Sequence, residues 1–154
     1  MLRRVTFTAL LAVVAVLAPA GCTNRIQGEP VAGSRPLDAH RALVSRYFDA
    51  VNAAADQGSA AQEQLFAHTQ HPDFRDLQCP LQGLTVTADP AYSTLHTDAD
   101  WRPPLAEAAP RGTVYVIAAT VAVQRSTEVL GSQIGTLHVV VLDGVAYGFA
   151  PCPA

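Results

Sequence analysis

The chain has 154 residues, of which 49% are hydrophobic and 15% are charged, and its formal net charge is -3. Every basic side chain is an arginine, and the arginines are scattered along the sequence. Binding to nucleic acid needs clustered Arg or Lys, so composition argues against a nucleic-acid partner, while the length allows one domain with a core of its own.

The N-terminal residues have the three parts of a secretory signal. Arg3-Arg4 form a basic n-region, and Val5–Ala18 is an apolar stretch too short to span a bilayer comfortably. Ala18-Pro19-Ala20 fits the rule for general signal peptidase. Ala20-Gly21-Cys22 resembles a bacterial lipobox, in which the cysteine becomes the lipid-modified first residue, although Pro19 stands where an aliphatic residue is usual. Residues 1–21 are therefore predicted to be a signal peptide.

The odd number of cysteines favours the interpretation of this chain as a lipoprotein. The sequence has three cysteines, Cys22, Cys79 and Cys152, and an odd cysteine is a liability in an oxidising compartment. If Cys22 carries lipid, Cys79 and Cys152 can form a disulfide. We predict this arrangement, with membrane lipid as the partner of the acylated N-terminus on the extracytoplasmic face. A secreted protein with a free Cys22 thiol is the alternative.

Residues 22–36 have the Gly, Pro and polar composition of a linker, so the domain is predicted to cover residues 37–154. Leu43, Tyr47 and Val51 recur at helical spacing and predict an amphipathic helix over Leu37–Ala55, with Asp38 as its N-cap.

A second, shorter helix is predicted to follow directly. Ser59-Ala60-Ala61-Gln62 reads as a capping box, and the helix should run to about Ala67 with Leu65 and Phe66 buried. The second half of the chain then changes to strand patterns.

The strand predictions centre on a hairpin. Asp143-Gly144 lies between apolar runs and predicts a type I′ turn, because both central residues of that turn need φ > 0. Thr94–Thr97 is a possible short strand within Asp89–Pro110, a long irregular crossing of the kind that is usually functional. The remaining strands are predicted over Leu84–Ala88, Thr113–Gln124, Gly135–Leu142 and Val145–Phe149.

The stretch Tyr47-Phe48-Asp49-Ala50-Val51-Asn52-Ala53, followed by Asp56 and Leu65-Phe66, resembles the first two helices of the NTF2-like family, also called cystatin-like or SnoaL-like. The similarity covers Leu37 to Cys152, in the context of small envelope lipoproteins of the actinobacterial type. It implies an α+β fold in which N-terminal helices pack on a curved antiparallel sheet to form a cone. Family members include isomerases, dehydratases, cyclases and non-enzymatic binding domains, so the fold does not select a function.

The predicted hairpin supplies the candidate ligand-binding residues. A two-residue turn pairs Val140 with Tyr147 and His138 with Phe149, which places these four side chains on one face. If that face lines the concave side of the cone, His138 and Tyr147 are the polar groups of an apolar pocket. Alternatively, the opposite face packs on the helices and leaves His138 outside, or His138 is a hydrogen-bonded core residue.

His68-x-x-His71 with Asp73 has the residue types of a metal site, but Pro72 interrupts the segment, and we interpret these as surface histidines. We predict no metal, no cofactor and no catalytic residue. The expected function is an exported lipoprotein whose non-enzymatic domain binds a small apolar ligand or an envelope protein. The alternatives are an isomerase- or dehydratase-like enzyme with a His138/Tyr147 pocket, and an accessory subunit of a cell-envelope transport assembly.

Overall fold

The N-terminal half of the domain is helical. The computed structural model describes residues 34–104 and 106–150. Helix α1 spans Ser34–Gln57 and helix α2 spans Ser59–Thr69. Helix α1 therefore begins before the predicted start, and Asp38 lies inside the helix instead of capping it.

The predicted capping box at the start of α2 is wrong. Gly58 occupies the N-cap position with φ 105°, and no side chain caps the helix there. Gln62 is fully buried and its side chain points away from the helix end, where it bonds the backbone of Val51 and Val86. Gln62, which the sequence pattern assigned to a capping box, therefore contributes to tertiary packing.

The sheet contains five antiparallel strands in the order β1-β3-β4-β5, with β2 also paired to β3. It is strongly curled, and the two helices precede it and pack against it, as expected for an α+β fold of this kind. A 3-10 turn at Pro72–Leu77 links α2 to the sheet, and a shorter one lies at Tyr92–Thr94. The strands are β1 Thr85–Pro90, β2 His96–Thr97, β3 Thr113–Arg125, β4 Glu128–Leu142 and β5 Val145–Tyr147.

The predicted hairpin is confirmed, with its register as far as Val140 opposite Tyr147, but the predicted pairing of His138 with Phe149 is wrong because β5 ends at Tyr147. Asp143 and Gly144 have φ 52° and 78°, and Val140 pairs with Tyr147 across the turn. A second tight turn joins β3 to β4, with Arg125 opposite Glu128 and φ 56° at Ser126. The prediction that β4 begins only at Gly135 is wrong, because pairing to β3 extends the strand through residues that remain exposed.

The core lies between the helices and the concave face of the sheet. Val44 and Phe48 of α1 are buried against the inward side chains Tyr115, Ile117 and Val139. A second cluster joins Val51 to Phe66 and Leu81 beside it. Full burial of one such side chain is worth about 1.5–3 kcal/mol, so these clusters hold the helices on the sheet.

Side-chain amides hold the outer edge of β1. The Asn52 amide donates to the carbonyl of Ala88 at 2.8 Å and accepts from its N–H at 2.9 Å. Gln62 makes the same two-way contact with Val86, at 2.6 Å and 2.8 Å. Two helix residues therefore occupy the hydrogen-bonding groups that an edge strand would otherwise expose.

Candidate functional site

An apolar cavity of about 830 Å³ lies between the helices and the sheet. Its volume falls within the range of small-molecule binding sites. The helices contribute Tyr47, Phe48, Val51 and Phe66 to its wall. The sheet contributes Val86, Ala88, Val121, Leu137 and Val139.

The cavity is open because the sheet does not close. Strand β5 pairs with β4 only from Val140 to Leu142 within the part of the chain that the structure describes. After Tyr147 the chain leaves the sheet, and Gly148 forms a parallel bridge with Gln70. The edge of β4 beside the departing chain, from Thr136 to Val139, lines the cavity.

Gly148 is the point at which the chain departs from the sheet. Its N–H donates to the Thr69 carbonyl at 3.0 Å, and its carbonyl accepts from the His71 N–H at 3.1 Å. A Cβ at this position would overlap the Tyr47 hydroxyl, so the close approach requires glycine. The exit of the chain is thereby fixed to the C-terminal end of α2.

Gln70 holds the chain in place just after it leaves the sheet. Its side-chain amide donates to the Phe74 carbonyl at 2.9 Å and accepts from the Ala150 N–H at 2.7 Å. Gln70 is buried and lines the cavity. Each polar atom of this amide has a backbone partner, and these bonds fix the orientation of the amide in the cavity wall.

Tyr47 is a polar group of the inner wall. Burial raises the pKa of its phenol far above the usual range, and a hydrogen bond with the Thr69 side chain offsets part of this effect. The phenol is therefore neutral at physiological pH.

Half-buried aromatic rings line one part of the cavity, which we call its mouth. Trp101 stacks on His138 with ring centroids 4.1 Å apart and an interplanar angle of 10°. The ring of Phe149 meets Trp101 edge to face at 4.7 Å. Pro103 and Pro104 continue this rim. All five residues line the cavity, and three of them belong to the long crossing segment after β2, which therefore contributes to the cavity wall.

His138 is held in place by an acidic side chain. Its Nε2 lies 3.0 Å from Oδ2 of Asp98. Asp98 is itself fixed, because its N–H donates to the Val114 carbonyl at 3.0 Å. No hydrogen bond joins Nδ1 of His138 to another described residue. The pair positions the imidazole against Trp101.

The structure separates the four predicted ligand-binding residues. His138 and Phe149 line the cavity. Val140 is fully buried and Tyr147 packs against the ring of His71 at 5.9 Å, and neither lines the cavity. The helix-facing side chains come from the opposite face of the hairpin, including Val139 and Val141, as in the alternative that we had left open.

His71 is a buried structural residue, so its interpretation as a surface histidine is wrong. Its Nε2 lies 2.9 Å from the carbonyl oxygen of Arg111, which can only accept, so Nε2 carries the proton. Nδ1 then accepts from the Asp73 N–H at 3.2 Å. His68 is exposed, as predicted. Within residues 34–104 and 106–150, no group of His, Cys, Asp or Glu side chains could hold a metal ion.

Sequence reasoning did not identify Trp101 and Asp98 as site residues. Both lie in the long crossing, whose length was the available signal, together with the presence of the only tryptophan in the sequence. Asp98 lies 40 positions and Trp101 lies 37 positions from His138 in the sequence, and no local pattern indicates these contacts.

No family model, curated protein or solved structure matches this chain. In the part of the chain that the structure describes, no helix is both long enough and apolar enough to cross a membrane. Cys22 and Cys152 lie outside the described residues, so lipidation and the disulfide stay predictions. Cys79 lines the cavity.

Proposed function

We propose that this chain is an exported, lipid-anchored protein whose NTF2-like domain binds a small, mainly apolar ligand without transforming it. The observation that carries the proposal is the cavity of about 830 Å³ with its aromatic mouth. An interaction scaffold of this architecture would fill the space between helices and sheet. Here the wall is apolar, and Gly148 and Gln70 hold it open through backbone hydrogen bonds.

The envelope location rests on the sequence. The apolar segment before Cys22, the linker after it and the cysteine count favour a tethered domain outside the cytoplasm. A mature N-terminus with two acyl chains on one glyceryl group would anchor the protein far better than a single chain. Intact mass of the membrane-extracted protein tests this, and an unmodified Gly21 N-terminus in the culture medium would contradict it.

Ligand binding is tested with a neutral apolar dye, N-phenyl-1-naphthylamine. We expect the dye to bind in the cavity with stoichiometry near one and to quench Trp101, which lies at the mouth. Ala88→Leu adds apolar volume to the cavity wall and should weaken dye binding at least tenfold.

The matched control is Ala53→Leu, the same change on the exposed face of α1. It should leave the affinity for the dye unchanged. Equal affinities for both variants and the parent would place the dye elsewhere and remove the support for a binding cavity.

An isomerase- or dehydratase-like activity is the second candidate, because His138 lies at the mouth of the cavity with Asp98 on Nε2 at 3.0 Å. A histidine with one nitrogen fixed by a carboxylate can move a proton through the other. Compounds that displace the dye would be assayed for turnover. Activity that His138→Gln abolishes, with dye affinity retained, would favour the enzyme over the carrier.

A further inference from the structure

The polar groups of the cavity have a marked charge asymmetry. Among the described residues that line it, Asp76 is the one carboxylate, and neither arginine nor lysine is present. Arg75 and Arg102 adjoin lining residues in sequence, but both are exposed and neither lines the cavity. A carboxylate or phosphate head group would therefore meet a negative charge, and no guanidinium or ammonium group of the described lining is there to pair with it.

The carboxylate belongs to a lining residue that is exposed to solvent, where a charged head group can remain hydrated. Asp76 is exposed and belongs to the 3-10 turn Pro72–Leu77, next to lining residues Leu77 and Gln78. No ion pair joins Asp76 to another described residue. The acid of the same turn that does have a partner is Asp73, whose carboxylate binds Arg111 and whose pKa that guanidinium lowers.

The aromatic rings also favour a cationic head group over an anionic one. The rings of Trp101 and Phe149 line the mouth, and aromatic π systems attract cations electrostatically. The inner wall is apolar and suits an alkyl or ring system. The carboxylate, the aromatic rings and the apolar wall together suit an amphiphile. Its apolar body enters the cavity, and its cationic head group stays at the mouth.

We infer that the cavity selects cationic amphiphiles, such as long-chain amines or quaternary ammonium compounds, over fatty acids and other anionic lipids. This inference rests on the proposed binding function and names the ligand class for the same site. It assigns Asp76 the role of the residue that distinguishes head groups.

Three probes with the same decyl chain test the inference: decyltrimethylammonium, decyl glucoside and decanoate, each below its micelle-forming concentration. Titration followed by Trp101 fluorescence should give the tightest binding for the cation and the weakest for the anion. Asp76→Asn should weaken the cation about threefold to fivefold, as expected for a partly exposed ion pair, and leave the glucoside unchanged. Added salt should reduce the preference for the cation.

Asp56→Asn is the matched control, because it removes one exposed carboxylate at the end of α1, away from the cavity lining. The parental order of the probes should persist in this variant. Equal affinities for decanoate and decyltrimethylammonium would overturn the inference, and so would an unchanged affinity of Asp76→Asn for the cation. In either case, binding of decyl glucoside would still support the carrier function. Failure of all three probes to bind would reject the carrier function itself.

Discussion

Replacement of Gln62 by leucine tests whether side-chain amides or apolar packing attach the helices to β1. Gln62 is fully buried and makes three hydrogen bonds, two with the backbone of Val86 and one with the carbonyl of Val51. Leucine retains the approximate volume but satisfies none of these groups. The Val86 N–H would lose its acceptor, and a buried unsatisfied group costs about 1–3 kcal/mol. With the lost carbonyl contacts, we expect Gln62→Leu to lower the free energy of unfolding by about 2–4 kcal/mol.

Urea denaturation followed by far-UV circular dichroism measures this change. The control is Gln64→Leu on the exposed face of the same helix, which should alter the unfolding free energy by less than about 0.5 kcal/mol. Gln62→Glu provides a second comparison, because it keeps the acceptor oxygen, removes the donor and introduces a charge that is costly to bury. If Gln62→Leu were as mild as Gln64→Leu, apolar packing alone would hold α2 on the sheet, and our account of the β1 edge would be wrong.

Three further predictions concern the core, the chain exit and acid stability. Phe66→Ala should lower the unfolding free energy by about 3–5 kcal/mol in urea titrations, because the ring is buried between α2 and β1; a change near zero would make α2 peripheral. Gly148→Ala should cost about 1–3 kcal/mol from overlap with the hydroxyl and ring carbon Cζ of Tyr47, and Tyr47→Leu, which removes both atoms, should reduce that cost in a double-mutant cycle, whereas additive effects would argue against the overlap. Arg111 lowers the pKa of Asp73, so the stabilisation by this ion pair is complete above the ordinary carboxyl pKa of about 4 and is lost as the pH falls through the lowered folded-state pKa; the stability difference between parent and Arg111→Gln should therefore shrink on acidification, and an undiminished difference at pH 3 would contradict it.

The hairpin could be predicted because its determinants are local. Asp143-Gly144 adopts the positive φ angles that a type I′ turn needs, and alternation then fixes the register of Val140 and Tyr147. The sequence did not say which hairpin face meets the helices, since both faces carry apolar side chains. Val140 and Val139 are both fully buried, on opposite sides of the strand.

The buried face of α1 was predicted only in part. The predicted stripe, which continues from Leu43, Tyr47 and Val51 to Ala54, includes two buried residues, Val51 and Ala54, whereas the centre of the face is Val44 and Phe48. Adjacent apolar residues make the two stripes nearly equivalent in sequence, and contact with the sheet decides between them. Tyr47 is displaced to the side, where its ring becomes part of the cavity wall.

The cavity itself could not be predicted, because it depends on where strand pairing ends. The departure of the chain at Gly148 is set by contacts with Thr69 and His71, almost 80 residues earlier in the sequence. Glycine in a strand pattern indicates a bulge or a close backbone approach, but it does not say which partner approaches.

The energetic consequence of that departure supports a binding role for the cavity. A sealed and empty apolar cavity of about 830 Å³ would cost about 20 kcal/mol at about 24 cal/mol per Å³. Since the net stability of a domain is only about 5–15 kcal/mol, the space must hold solvent or a ligand. Longer pairing of β4 with β5 would close the sheet and avoid an unfilled cavity. Instead, Gly148 and Gln70 direct the chain away from β4 with satisfied hydrogen bonds. The apolar walls therefore remain in contact with water until a molecule with an apolar body displaces it, and that displacement is the source of affinity we assign to this site.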